Sequence, residues 1–147
     1  MLFRSPICSG GTITLPTTST NNITGSWSPA PNNTTTTTYT FTPTAGQCAR
    51  DTTMTVVVNA LPAAPTVSNT VQPDCNTPTG SATITGLPSG SWTINPGGIT
   101  GTTGSTTINN LAQGNYSYTV TDANGCISSS FNVTINAQPV QIGRAHV

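Results

Sequence analysis

The chain has 147 residues, of which 4% are charged, and three arginines balance three aspartates. A soluble domain usually carries about 25% charged residues. The near-absence of charge argues against nucleic-acid binding, and one His with three Asp leaves almost no material for paired-carboxylate catalysis or a His-rich metal site. We therefore predict no enzyme activity and no cofactor. No apolar run reaches the ~20 residues of a membrane-spanning helix, so we predict no membrane insertion. Abundant β-branched residues favour folded β structure over disorder.

The two ends of the chain differ in composition from the residues between them. Residues 1–5 and 141–147 carry two of the three arginines and the only histidine, His146. Both strings match translated sequencing-adapter DNA: ATG-CTC-TTC-CGA-TCT encodes the first, and ATC-GGA-AGA-GCA-CAC-GTC encodes the last six residues. We interpret 1–5 as a non-native end and 137–147 as the start of a linker followed by a second one. The alternative is a pair of frayed natural termini, and the underlying codons would decide between them.

An internal repeat is the most informative feature between these ends. Val-Val-Val-Asn-Ala-Leu-Pro at 56–62 is similar to Val-Thr-Ile-Asn-Ala-Gln-Pro at 133–139. Before each segment come, in the same order, a Cys, a Gly-Ser-Trp, an alternating aromatic strand and a second Cys. This pattern predicts two repeats, 6–59 and 66–136, and the Pro-rich stretch 60–65 between them predicts a stiff linker.

The first repeat is shorter than the second. Only two of its residues precede Cys8, whereas about ten precede the matching Cys75. We therefore expect a truncated repeat that lacks its opening strand and leaves a neighbouring strand with an unpaired edge. Alternating residues at 39–42 and 53–59 predict its last two strands.

The second repeat predicts a series of short strands punctuated by turns. Asn-Gly before the second Cys is a strong hairpin signal, since both residues tolerate positive φ. Short strands that recur at this spacing are typical of an immunoglobulin-like sandwich. The predicted fold is thus all-β, with two tandem immunoglobulin-like β-sandwiches. The clearest strands of the second repeat fall at 65–71, 80–85, 91–94, 106–108, 115–121 and 126–136.

The four cysteines divide two and two between the repeats. Three pairings are formally possible, and the repeat favours Cys8 with Cys48 and Cys75 with Cys126. Each bridge would close a loop of about 40–50 residues and contribute about 3–4 kcal/mol. Disulfides imply an oxidising, extracytoplasmic location. A metal site is disfavoured because the sequence has no Cys-x-x-Cys, and a catalytic thiol because no base is nearby.

Matching aromatic residues invite two interpretations. Trp27 and Trp92 could stack on sugars, but core packing is the favoured reading because Trp commonly anchors sandwich cores. Burial of both would favour a spacer, and exposure of both on one flat face would favour a sugar platform. The aromatic residues of 39–41 and 116–118 predict a packed strand face whose hydroxyls bond nearby backbone.

Polar motifs carry weaker signals. The five-Thr run 34–38 is read as an ordinary strand with alternate Thr exposed, in preference to an O-glycosylated patch or an ice-binding face. Asp-Thr-Thr at 51–53 resembles a bacterial O-glycosylation signal, with Thr52 as acceptor. Asp74 and Asp122 could share Ca²⁺, but so few carboxylates make a poor cage and local turn bonding is favoured.

Two motifs resemble a known family. Cys-Asn-x-Pro-x-Gly at 75–80 and Leu-x-x-Gly-Asn-Tyr-x-Tyr-x-Val-x-Asp-x-x-Gly-Cys at 111–126 resemble repeat modules of large Bacteroidota surface adhesins. Those proteins are associated with gliding motility and exported by the type nine secretion route. Residues 8–48 resemble the immunoglobulin-like repeats that accompany them, so the resemblance covers about 6–140.

The resemblance implies an exported, extracellular or cell-surface protein. We expect a non-enzymatic structural or adhesive repeat segment, whose partners are neighbouring repeats of the same chain and surface polysaccharide. The alternative is a carbohydrate-binding accessory module of a secreted hydrolase.

Overall fold

The computed structural model describes residues 6–140, which contain twelve β-strands and no helix. The predicted all-β class is therefore confirmed. The chain divides into two compact units, Met1–Leu61 and Pro62–Val147, at a point inside the Pro-rich stretch 60–65. The predictions for 1–5, for 141–147 and for His146 lie outside the described residues.

The first unit is built on one antiparallel sheet with strand order β2-β3-β4. Register places Trp27 opposite Phe41 and Tyr39 opposite Met54, so these side chains share the inner face of the sheet. A separate two-residue parallel ladder joins β1 to β5. The strands are β1 (Ile7–Cys8), β2 (Gly25–Ser28), β3 (Thr37–Pro43), β4 (Thr52–Val56) and β5 (Val58–Asn59).

The second unit contains two antiparallel sheets. One has the order β6-β7-β10 and the other β9-β8-β11-β12. A bulge at 67–69 offsets the pairing of β6 with β7. The strands are β6 (Thr66–Val71), β7 (Gly80–Thr85), β8 (Trp92–Asn95), β9 (Ile99–Gly101), β10 (Ser105–Leu111), β11 (Gly114–Thr121) and β12 (Phe131–Ile135).

A single core joins the two sheets of the second unit into a sandwich. Alternate residues of β7, β8, β11 and β12 are buried, such as Ala82 and Ile84 on β7 and Val133 and Ile135 on β12. Each fully buried aliphatic side chain contributes about 1.5–3 kcal/mol relative to an exposed one. Because the chain has almost no charge to pair, these rows of alternating apolar side chains carry most of its stability.

The two units differ more than their shared landmarks predict. Residues 6–59 form one three-stranded sheet and a short ladder, so the expected pair of matched sandwiches is not reproduced there. The cause is chain length: Tyr39 follows Trp27 by 12 positions, whereas Tyr116 follows Trp92 by 24. The additional residues of the second unit form β9 and β10, and the first unit has only a loop at the corresponding place.

The second core supplies a direct test of this account. Ile84 is fully buried, and its neighbour Thr83 faces outward on the same strand. We expect Ile84→Ala to lower the free energy of unfolding of the second unit by about 2–5 kcal/mol, because the lost methyl groups leave a cavity. Thr83→Ala, the control, should cost less than about 1 kcal/mol. Urea titration followed by Trp92 fluorescence in a Trp27→Phe background measures both, and equal small costs would contradict the assigned core.

Candidate functional site

The cysteines do not pair as the repeat predicts. Cys8 and Cys126 are disulfide-bonded, whereas Cys48 and Cys75 are free, exposed thiols. The pairs Cys8–Cys48 and Cys75–Cys126 are therefore not formed. Sequence order matches the two repeats but does not fix side-chain environment: Cys126 is fully buried, whereas Cys75 lies on an exposed turn. A disulfide-bonded all-β protein remains compatible with an extracellular location.

The tryptophans are held by packing and by one hydrogen bond each. Trp92 is only 2% exposed, and its indole N–H donates to the carbonyl of Thr103 at 2.8 Å. A side chain at Gly101 would collide with this ring, so the close approach of β9 requires glycine there. Trp27 is half-buried and donates to the carbonyl of Pro16 at 2.8 Å. The Trp92 indole therefore presents no exposed ring face for sugar stacking.

Phe41 supports the first tryptophan from the neighbouring strand. The ring centroids of Trp27 and Phe41 lie 5.1 Å apart at an interplanar angle of 53°. Gly25 leaves room for the Phe41 ring, which a side chain at that position would strike. The first unit thus builds its small core around a tilted aromatic pair.

Tyrosine hydroxyls bond the backbone in both units, as the sequence predicts. The Tyr116 hydroxyl donates to the carbonyl of Ala112 at 2.9 Å. The Tyr39 hydroxyl accepts from the Asn32 N–H at 2.8 Å and donates to the Asn32 carbonyl at 3.3 Å. Burial, and to a lesser extent the Tyr116 phenol, raises the pKa of Tyr118 above its ordinary value, because both disfavour the charged form.

Asp74 organises the exposed turn after β6. Its Oδ1 accepts the backbone N–H groups of Asn76 at 2.8 Å and Thr77 at 2.7 Å. These two bonds, that from Asn76 first, lower the pKa of the carboxyl, because they stabilise its charged form. The aspartate therefore bonds locally, as predicted for a turn.

Asp122 has the same role in the turn between β11 and β12. Its Oδ1 accepts the N–H groups of Asn124 at 2.9 Å and Cys126 at 2.8 Å. No group of three potential metal ligands occurs among residues 6–140. Both aspartates thus make the local turn bonds that the sequence predicts.

The outward sheet faces are covered by uncharged hydroxyl groups. On the first unit, Thr38 and Thr55 lie opposite each other with their hydroxyls 2.8 Å apart. On the second, the hydroxyl of Thr83 lies 3.3 Å from that of Thr107. The outward residues of the first sheet are Ser26, Ser28, Thr38, Thr40, Thr42, Thr53 and Thr55. These faces can exchange hydrogen bonds but offer no ionic contact.

Two threonine motifs of the sequence fall at the borders of strands. Within the run 34–38, only the last two residues belong to β3, and the earlier ones form a turn in which Asn32 Oδ1 accepts the N–H of Thr34 at 2.9 Å. Thr52, the acceptor expected for O-glycosylation, is the first residue of β4 and is exposed beside exposed Asp51.

A cleft of about 430 Å³ lies at one end of the β9-β8-β11 part of the second sheet. Its lining residues lie at the start of β8, at the end of β9 and just after the end of β11, or directly beside these strand ends. Its lining is Ser91, Trp92, Thr93, Thr100, Gly101, Thr102, Asp122 and Ala123. Trp92 and Asp122 are candidate residues in the sequence as well, whereas the hydroxyl residues carry no sequence signal, because only the register of β8 with β9 brings Thr93 opposite Thr100.

Comparison with known proteins assigns no family to the chain. No family model matches the sequence, and no curated protein is significantly similar to it. Within residues 6–140, no helix is long and apolar enough to span a membrane.

Alkylation before and after reduction distinguishes the free cysteines from the disulfide-bonded ones. Treatment of the unreduced chain with iodoacetamide should modify Cys48 and Cys75, because both are exposed free thiols. Cys8 and Cys126 should react only after reduction. Peptide mass spectrometry identifies the labelled sites, and a Cys48→Ser/Cys75→Ser double variant supplies the unlabelled control. Protection of Cys48 and Cys75 in the unreduced chain would contradict their assignment as free thiols.

The hydroxyl of Tyr116 provides a second test. Tyr116→Phe deletes its bond to the Ala112 carbonyl while keeping the ring stacked 6.0 Å from Tyr118. We expect a loss of about 0.5–1.5 kcal/mol in the unfolding free energy of the second unit, the net value of one such bond. Chemical denaturation measures this loss, and an unchanged midpoint would show that the bond from Tyr116 to Ala112 does not stabilise the fold.

Proposed function

We propose that this chain is a non-enzymatic structural and adhesive repeat segment of an exported, cell-surface or secreted protein. The observation that carries the proposal is common to both units: hydrogen bonds tie the segment that enters each unit to the segment that leaves it. Such a tie has no catalytic use, but it resists a pull on the two ends of a module. The neutral hydroxyl-covered sheet faces of the chain support weak, salt-insensitive contact with other surfaces.

The second unit supports an immunoglobulin-like assignment. A three-stranded sheet faces a four-stranded sheet, and consecutive strands cross between the two, as in that fold. The Tyr116 hydroxyl bonds backbone four residues upstream at the start of β11, which is the arrangement of a tyrosine corner. The motif 111–126, which contains this corner, supports assignment to the adhesin-type repeats of Bacteroidota. The first unit is then a reduced version of the same module.

In the first unit the tie is a backbone ladder. The Ile7 N–H donates to the Val57 carbonyl at 3.0 Å, and the Ser9 N–H donates to the Asn59 carbonyl at 2.8 Å. The two strands are parallel. A pull on the start of β1 and the end of β5 therefore slides the strands past each other, so that both bonds are loaded together and are not broken one at a time.

In the second unit side-chain amides make the tie. Gln72 Nε2 donates to the Thr134 carbonyl at 3.2 Å, and Gln72 Oε1 accepts the Asn136 N–H at 2.8 Å. Gln138 Nε2 donates to the Asp74 carbonyl at 2.8 Å. The Gln72 amide thus occupies the open edge of β12 much as a neighbouring strand would. A force that pulls on the two ends of the unit therefore loads these bonds before the core strands separate.

The alternative, a carbohydrate-binding accessory module acting through exposed aromatics, has less support. Trp92 is buried and Trp27 is half-buried, and both indole N–H groups already bond backbone carbonyls. A stacking platform needs an exposed ring face.

Pulling experiments on single molecules test the mechanical role. The full chain, held at its two ends under reducing conditions, should show a lower unfolding force for the second unit in Gln72→Ala than in the wild type, because two bonds of the tie are lost. Gln113→Ala, in the exposed turn between β10 and β11, is the matched control and should leave the force unchanged. Equal unfolding forces in the wild type and Gln72→Ala would refute the mechanical role of the tie.

A further inference from the structure

We propose that the cleft at the end of strands β8, β9 and β11 is a subsite for one residue of a neutral saccharide, with Asp122 as its acceptor. The proposal rests on the adhesive part of the proposed function and gives it a location and a ligand class. The cleft measures about 430 Å³, within the ~300–1,000 Å³ usual for small-molecule sites.

Asp122 is held in one orientation by its own turn. Its Oδ1 accepts the N–H groups of Asn124 and Cys126, at 2.9 and 2.8 Å. Its Oδ2 lies 3.5 Å from Asn124 Nδ2, at the outer limit of a hydrogen bond. A carboxylate can accept about four hydrogen bonds. Asp122 therefore keeps acceptor capacity, and bonds from a ligand hydroxyl to an ionised oxygen are stronger than neutral ones.

Hydroxyl groups surround this acceptor. Thr93 on β8 lies opposite Thr100 on β9, while Ser91 and Thr102 flank the same strand ends. Each hydroxyl can donate one hydrogen bond and accept others. Sugar hydroxyls have the same dual capacity, so a saccharide can both donate hydrogen bonds to these groups and accept them.

The cleft also has an apolar part, at Trp92, Gly101 and Ala123. The Trp92 ring is so close to Gly101 that a side chain there would collide with it. The indole is fixed by its bond to the Thr103 carbonyl and is only 2% exposed, so it supports Gly101 from behind and does not itself offer a ring face. The C–H face of a sugar can lie against the Gly101 backbone and the Ala123 side chain, and a preformed site avoids part of the ordering cost of binding.

Charge distinguishes a neutral saccharide from other ligands. Asp122 is the one charged residue in the lining, whereas Ca²⁺ takes about 6–8 oxygen ligands, usually with several carboxylates. A basic peptide would gain a single partly exposed ion pair, which contributes little. A neutral sugar instead uses the hydroxyls and the carboxylate together. Affinity at one such site is weak, and tandem repeats would multiply it through effective concentration.

Amide chemical shifts of the full ¹⁵N-labelled chain test the proposal. The probes are neutral cello-, malto-, manno- and chito-oligosaccharides, each titrated separately. At least one should shift the signals of Thr93, Thr100 and Asp122 with saturation. Asp122→Asn should weaken this binding about tenfold, since the amide oxygen can still accept the turn N–H groups but carries no charge. Thr93→Val should weaken it several-fold by removing one hydroxyl without changing shape.

Thr119→Val is the control variant. Thr119 faces outward on β11 opposite Asn95 and lies outside the cleft lining, so its substitution should not change the titration. Binding should also be the same at low and high salt, because the ligand is uncharged.

Three results would overturn the proposal. The first is that no saccharide shifts the cleft signals, and the second is that the wild type, Asp122→Asn and Thr93→Val bind with equal affinity. The third is that only an arginine-rich peptide shifts the cleft signals, and that its binding depends on salt. None of these would alter the unfolding force of Gln72→Ala, so failure of the subsite is distinguishable from failure of the mechanical role.

Discussion

The alternation of inward apolar and outward polar side chains along the central strands is the constraint on which the rest of the molecule depends. With 4% charged residues, the chain cannot gain stability from ion-pair networks. Folding must come from buried rows such as Ala82 with Ile84 and from the backbone ladders that hold those rows in register. A slip of one residue would turn threonine inward and isoleucine outward. The same alternation that builds the apolar core therefore also produces the neutral outer faces.

The hydrogen bonds between the entering and leaving segments of each unit also protect strand edges, which the alternating pattern does not do. A sandwich has edge strands, and β12 is such an edge. Charged residues commonly protect edges from pairing with other chains, but this chain has few to place there. Gln72 covers part of the β12 edge with hydrogen bonds from the incoming segment, and in the first unit the incoming strand β1 covers β5. Protection of the edge and resistance to pulling thus come from the same bonds.

Much of the second unit could be predicted from sequence, and the reason is local. The predicted strand 80–85 coincides with β7, and 115–121 differs from β11 by one residue, because alternation and Gly-rich turns are encoded within a few residues. Strand β9 was missed, since Ile99–Gly101 is too short for its alternation to register. The cleft was missed for a related reason: its hydroxyls come from separate strands whose register no local pattern reveals.

The cysteines and the first unit show where repeat symmetry stops being informative. Matching landmarks fix the order of residues along the chain, but pairing depends on side-chain direction, and Cys75 is exposed where Cys126 is buried. Likewise Trp27 matches Trp92 in sequence, yet lies over Phe41 in a one-sheet unit and not between two sheets. A unit with a smaller core buries a smaller fraction of its surface and gains less from burial. Its ladder and aromatic pair must then contribute a larger share of its stability than the corresponding bonds do in the second unit.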